Sequence, residues 1–405
     1  MIQKNRQKKF SLILAIVMLF SAVGCSKSSG SKTSSSEAGS QTETTVETEA
    51  STQETTEKAS VGFSDLKERD NDFLVNEDPK YQELIDAAIK GVSDSHYKGV
   101  MALATDDDVL LFGSPGAMSI DNSPADPYTI YEVGSISKTY TAVMIMKLID
   151  QGKMTMDGTL SKYFPEYKNG REVTIANLLN MQSGILDYVN RADIFFQGAE
   201  RDPQEIITTP GLTDEEFLSY LYAQELYFEP GTRTDYSNTN YHLLALIIEQ
   251  ITGESFRDVV KKEIFDPLGM EHSSAVTTGD ETSMPDPAIG YHQFQEGARG
   301  AGDIHSCMAD MVTFDRALFG GDLVSVKSLM RMKDFKSKEY GCGLYSYGKN
   351  SYGHQGSVAC YTSENIVIET EEFGRVYLIA STSDPDQGRN LEKMALYVSS
   401  YLEMK

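Results

Sequence analysis

Apolar residues recur along this chain at two periods, and the change from one to the other divides it into segments. Leu84, Ile85, Ala88 and Ile89 share one helical face and predict a helix from Pro79 to Val92. Apolar runs from Gly99 to Ala104 and from Val109 to Gly113, parted by Asp106-Asp107-Asp108, predict a hairpin, and Tyr128 to Val133 a further strand. A long apolar helix is expected from Ser135. Between about Met154 and Met270 the spacing is mainly helical, with helices expected over Ile175 to Met181, Asp214 to Ala223, Tyr241 to Thr252 and Phe256 to Ile264. Turn signals such as Glu229-Pro230-Gly231 divide them. Strand patterns return at Gly341 to Tyr347, Gly356 to Glu369 and Arg375 to Thr382, ahead of a closing helix from Leu391 to Leu402. Strands at both ends around a helical middle predict an α+β fold in which distant segments complete one sheet.

The N-terminal part follows neither period. Lys4, Arg6, Lys8 and Lys9 precede an apolar run from Leu12 to Phe20, which is too short for an ordinary membrane span and fits a signal peptide. It ends at Ser21-Ala22-Val23-Gly24-Cys25, which resembles the lipobox of bacterial lipoproteins, with alanine where leucine is usual. That resemblance implies a signal peptide over residues 1–25, lipidation of Cys25, and anchoring on the extracytoplasmic face of the cell membrane. From Ser26 to about Ser60 the chain is Ser, Thr, Glu, Gln and Gly with hardly an aliphatic residue, a composition that cannot bury enough surface to fold. The expected organisation is a disordered tether over 26–75 and one folded domain over 76–405.

Composition narrows the function. With 405 residues and 40% hydrophobic content the chain can bury a large core. Its net charge of -24 argues against general affinity for nucleic acid, which needs a basic face. Beyond Cys25 the cysteines are Cys307, Cys342 and Cys360, with no CxxC pair and no histidine at metal-ligand spacing, so no metal site is expected. Cys342 and Cys360 both fall in strand-like segments, and a disulfide between them is compatible with an oxidising compartment.

Three short motifs carry candidate chemistry. Ser135-Ile136-Ser137-Lys138 places a hydroxyl and an amine about one helical turn apart, at the start of an apolar helix where unpaired amides favour developing negative charge. The same spacing recurs at Ser29, Ser64, Ser95 and Ser346, but only at Ser135 does a strand-like run pass through a glycine into a buried helix. A lysine there can activate the serine by taking its proton or by holding a hydrogen-bond network. Tyr236-Ser237-Asn238 is expected on a loop between helices, offering a phenol and an amide. A nearby ammonium would lower the phenol's pKa and fit it for proton transfer. His354-Gln355-Gly356 enters a strand that continues into Ser357, and the glycine lets a substrate lie against it. The backbone N–H groups of Ser135 and Ser357 would then form an oxyanion hole.

In order and context, the three motifs resemble those of the serine β-lactamase and penicillin-binding protein superfamily, nearest its class C and D-alanyl-D-alanine carboxypeptidase branch. Phe228-Glu229-Pro230-Gly231-Thr232, Pro267-Leu268-Gly269-Met270 and Ser183-Gly184-Ile185 look like further landmarks of that branch, as does the stretch from Gly302 to Asp310. The resemblance implies an antiparallel sheet flanked by N- and C-terminal helices, an inserted all-helical domain, and a site between them that uses no cofactor. It implies catalytic roles for Ser135 as acylated nucleophile, Lys138 as activator and Tyr236 as general base or acid, with Asn238, His354, Gly356 and Ser357 binding substrate. Lactamases of this branch carry Lys-Thr-Gly at the third motif. Histidine there looks like carboxypeptidases, D-amino-acid peptidases and esterases, yet Gln355 replaces a threonine that in the carboxypeptidases helps bind the substrate's terminal carboxylate. The function implied is a D-alanyl-D-alanine carboxypeptidase or related D-amino-acid peptidase acting on peptidoglycan-type peptide. A class C lactamase acting on β-lactams, an esterase acting on small esters and a non-catalytic wall-binding lipoprotein are the alternatives.

Overall fold

Strands from both ends of the chain meet in one antiparallel sheet. A computed structural model describes residues 60–117, 124–208, 212–275, 298–335, 339–358 and 361–405. The leader with Cys25, most of the tether, and Cys360 with its expected pairing to Cys342 lie outside the described residues. The strands are β1 (Lys67–Asp70), β2 (Phe73–Val75), β3 (Val100–Thr105), β4 (Val109–Gly113), β5 (Tyr131–Glu132), β6 (Ser274–Ala275), β7 (Ile304–Ser306), β8 (Tyr345–Ser346), β9 (Ser351–Val358), β10 (Tyr361–Thr370) and β11 (Gly374–Thr382). Eight of them form the large sheet in the order β1-β2-β4-β3-β11-β10-β9-β8, and β5-β7-β6 form a small one. The N-terminal hairpin joins the C-terminal strands through β3 and β11, where Leu103 lies opposite Leu378.

Alternation along β10 shows what covers each face of the large sheet. Asn365 donates to Asp315 of helix α4 (Met308–Gly320) at 3.0 Å. Its neighbour Glu364 points the other way, into reach of Glu392 on the C-terminal helix α5 (Gly388–Leu402). Helix α1 (Gln82–Ser95) packs beside α5 on that face, so closely that a Cβ at Gly91 would stand 2.8 Å from the Tyr397 ring. The helical middle is built around α2 (Ser137–Asp150) and α3 (Asn238–Thr252), both buried on most sides. Among the described residues no helix is long and apolar enough to cross a membrane.

The structure corrects three expectations. Ordered structure begins well before residue 76: β1 and β2 pair into the sheet, Phe73 and Val75 are buried, and the Val61 amide donates to Asp108 at 2.9 Å. The region 26–75 is therefore not tether throughout. The strand expected over Tyr128 to Val133 shrinks to Tyr131–Glu132 and joins the small sheet. The strand expected over Gly356 to Glu369 is two strands of a hairpin, with Val358 opposite Tyr361. Tyr236 and Ser237 lie on the connection that precedes α3, as expected, with Ser237 as its N-cap and Asn238 as its first residue.

Candidate active site

Ser135 sits in a 3₁₀ turn, Gly134–Ile136, that runs directly into α2. Gly134 enters that turn at φ +54, a backbone conformation that favours glycine. The Ser137 hydroxyl donates to the Gly134 carbonyl at 2.6 Å and accepts the Ile304 N–H at 2.9 Å, which pins the turn to β7. The three-residue offset then brings Lys138 Nζ to 3.0 Å from Ser135 Oγ.

Lys138 is fully buried, with 0% of its surface exposed. It donates to Ser135 Oγ, to Asn238 Oδ1 at 2.8 Å and to the Ala301 carbonyl at 2.6 Å. These are three acceptors for three N–H bonds, and none carries a charge. Burial pushes the Lys138 amine down to about 7, opposed by the carboxyls of Asp187 and Asp303.

Asn238 is tied to the protein on both sides of its amide. Its carbonyl takes the Lys138 bond while Nδ2 donates to Asp187 Oδ1 at 3.2 Å and Oδ2 at 3.1 Å. Asp187 reaches in from the loop after Ser183-Gly184-Ile185 and shares one Nδ2 N–H between its two oxygens, so Asn238 links Asp187 to Lys138.

The Tyr236 hydroxyl is buried without a well-formed hydrogen bond, its near neighbour being the Ser135 hydroxyl. The expectation of a lowered phenol fails. Burial pushes Tyr236 well above the usual phenol range, with Ser135 acting only weakly the other way. The reason is geometric: Lys138 Nζ lies 4.8 Å from the Tyr236 ring centroid, over the face of the ring, and gives its N–H bonds elsewhere.

His354 lies within β9 and is 1% exposed. Its Nδ1 lies 2.6 Å from the Gln355 carbonyl, which can only accept, and its Nε2 lies 3.0 Å from the Tyr340 hydroxyl. These partners assign a neutral ring with the proton on Nδ1. Burial and the Lys138 charge push it down to about 3, so it stays neutral at physiological pH. The Tyr236, Tyr340 and Tyr345 rings surround it. Gln355 takes the opposite strand face, across from Glu364, and its buried amide has no hydrogen-bond partner among the described residues.

Two glycines bring β9 against the serine turn. A Cβ on Gly134 would lie 2.8 Å from Ser357 N, and one on Gly356 would lie 1.9 Å from the Val133 carbonyl and 2.9 Å from Ser135 N. The amides of Ser135 and Ser357 are thereby held close together. Ser135, Lys138, Tyr236, Asn238, His354, Gly356 and Ser357 all converge on this one region. Asp187, Ala301, Asp303 and Tyr340 join them from segments whose spacing gave no signal of it. Elsewhere, folding also gathers His272, Cys307 and Asp310, with ligand atoms within 4.8 Å of one another. There Cys307 Sγ caps α4 by accepting the Asp310 N–H, and Asp310 accepts from the His272 amide and the Ser273 hydroxyl.

Comparison with known proteins agrees with this geometry. The family model described as Beta-lactamase matches residues 82–399. The Bacillus subtilis (strain 168) protein PbpX, which carries a penicillin-binding protein name, is 32% identical over 268 residues, a match covering 63% of this chain and 62% of that protein. A D-stereospecific amidohydrolase from Streptomyces superposes with a TM-score of 0.63 at 25% identity, over 76% of this chain and 97% of that one. The D-amino acid amidase of Ochrobactrum anthropi SV3 does so with a TM-score of 0.62 at 26% identity, over 80% of this chain and 100% of that one. On the matched span, the antiparallel sheet and the joint placement of its three motifs, the chain belongs to the beta-lactamase family and has the serine hydrolase fold shared with penicillin-binding proteins.

Proposed function

We propose that this protein is a lipid-anchored serine hydrolase that forms an acyl-enzyme at Ser135 and cleaves D-amino-acid amide or peptide bonds outside the cytoplasm. The observation that carries the reading is the 3.0 Å contact between Ser135 Oγ and the buried Lys138 Nζ, at a turn where two backbone amides lie close together. Ser135 Oγ attacks the substrate carbonyl carbon as its proton passes to the Lys138 amine. The oxyanion is held by the Ser135 and Ser357 N–H groups, a kind of contact worth about 3–4 kcal/mol of barrier per donor. The Tyr236 phenol, protonated at rest beside the Ser135 hydroxyl, hands its proton to the departing nitrogen and regains one from the water that later releases the acyl group, while Lys138 returns its proton to Ser135. Water then takes the acyl group off Ser135.

The leaving side of the substrate is best matched by a neutral group. Lys138 is shielded, His354 is neutral and Gln355 is turned to the far strand face, so the β9 wall offers no cation for a terminal carboxylate. That favours amides and peptides over penicillins and free D-alanyl-D-alanine termini, in keeping with the names of the two neighbours, a D-stereospecific amidohydrolase and a D-amino acid amidase. The test is a panel of D-amino-acid amides, D-Ala-D-Ala peptides, nitrocefin and p-nitrophenyl acetate with Ser135→Ala as control. Amide turnover with fluorophosphonate labelling lost in Ser135→Ala supports the reading. Equal labelling of the variant, or faster turnover of nitrocefin, would sink it. Anchoring is checked by membrane fractionation of Cys25→Ser, which should release the protein.

A further inference from the structure

Two buried carboxyls act on the Lys138 amine, and they are held differently. Each of two carboxyls stands behind a neutral acceptor of the Lys138 ammonium: Asp187 behind Asn238, and Asp303 two residues beyond the Ala301 carbonyl. They are not equivalent. Asp187 accepts from Asn238 Nδ2 at both oxygens, from the Val189 amide at 2.9 Å, the Asn190 amide at 3.3 Å and Asn190 Nδ2 at 2.5 Å. Both of its oxygens are therefore met by N–H donors. Asp303 is 3% exposed and held by the backbone amides of Gly300 and Asp303 itself, while Oδ1 has no hydrogen-bond partner among the described residues. No N–H meets a charge on that oxygen, so of the two carboxyls Asp303 is the one that loses least by taking up a proton.

The other charged and titratable groups facing the pair leave this assignment in place. Arg299 faces Asp303 but is bonded to Asp214 at 3.0 Å and Glu249 at 3.2 Å. Tyr188 lies within electrostatic reach of both carboxyls and stays a neutral phenol. Around Lys138 stand the neutral groups Tyr236, Tyr241 and His354. Lys138 thus faces one carboxyl whose oxygens are both met by N–H donors and one, Asp303, with an oxygen that no donor meets among the described residues.

We propose that Asp303 is a positioning residue that governs the charge on Lys138, holding the exchangeable proton of this buried group and so deciding when the Lys138 amine can accept the proton of Ser135. The inference rests on the acyl-enzyme reading for its consequence, but not for its measurement. When Asp303 ionises, the ammonium is held by two anions; when it is protonated or replaced by an amide, only Asp187 remains. Burial pushes the Asp303 carboxyl up to about 7, the same range as Lys138, which agrees with a shared titration.

The experiment follows Lys138 directly, by NMR of the full chain labelled with ¹³C,¹⁵N-lysine and assigned with Lys138→Arg. Asp303→Asn should move the Lys138 titration down by about one pH unit or more, and Asp303→Glu should bring it back toward wild type. The acid limb of kcat/KM for p-nitrophenyl acetate should move with it. Should Asp303→Asn fail to fold, Asp303→Ser serves as the neutral variant. A Lys138 titration that superimposes on wild type in the neutral variant overturns the proposal, whatever the activity. A displaced titration in a protein that never labels at Ser135 overturns the acyl-enzyme reading and leaves the charge coupling standing.

Discussion

Asp187 acts at the site without touching Ser135. Replacing it with alanine strips the Asn238 amide and the 189–190 turn of their acceptor, so Asp187→Ala should cost about 1–3 kcal/mol in urea unfolding. It should lower kcat by about 10²-fold while KM holds, because Lys138 loses its second-layer support. Steady-state kinetics beside a urea titration checks both. His242 makes a different point. It stacks on Phe217 at 4.2 Å, its Nε2 has no hydrogen-bond partner among the described residues, and burial pushes it down to about 3. Between pH 6.5 and 5 the unfolded chain protonates this histidine and the folded chain does not, so stability falls as pH falls. His242→Phe should remove about 2 kcal/mol of that loss, read as the difference in urea stability between the two pH values. At this scale the sequence revealed Ser135, Lys138, Tyr236 and His354, because reactive side chains stood at short fixed spacings. It hid Asp187 and Asp303, whose roles arise from contacts across 51 residues in one case and from an unpaired oxygen in the other. It also misjudged the direction of the Tyr236 shift, since proximity to an ammonium says nothing of which part of the ring the charge approaches.

Among the elements, the meeting of β9 with the serine turn is the most exacting. Any side chain at position 356 must displace backbone, because its first carbon would overlap the Val133 carbonyl and no rotamer relieves that. Gly356→Ala should therefore fold yet lose about 10²–10³ in kcat, measured with p-nitrophenyl acetate and accompanied by an unchanged far-UV CD spectrum. Most helices were legible from apolar spacing. The hairpin between β9 and β10 was not: the sequence around Val358 and Tyr361 lacks the Asn-Gly or Asp-Gly signal that hairpins usually carry, and the apolar run reads straight on. The β5 strand was overextended for a related reason, as apolar residues near Tyr131 serve packing rather than pairing.

For the whole molecule, the boundary of the folded unit has practical weight. Removing residues 1–60 should leave the urea midpoint unchanged, whereas removing 1–76 deletes β1 and β2 with buried Leu66, Phe73 and Val75. At roughly 1.5–3 kcal/mol for each such side chain, the shorter protein should unfold at clearly lower urea or fail to accumulate. The α+β character, the joining of distant ends and the helical middle were all legible, because they follow from periods that run over many residues. The onset of order was not, since β1 is exposed along its length and resembles the polar segment before it. The edge of the sheet carries one more consequence. β8 pairs only with Tyr352 and Gly353, so from His354 to Gly356, where the serine turn closes in, that edge of β9 has no strand neighbour among the described residues. At about 3.3 Å per residue this stretch is about 10 Å long, a ruler against which about three units of an extended chain can be laid beside the serine turn.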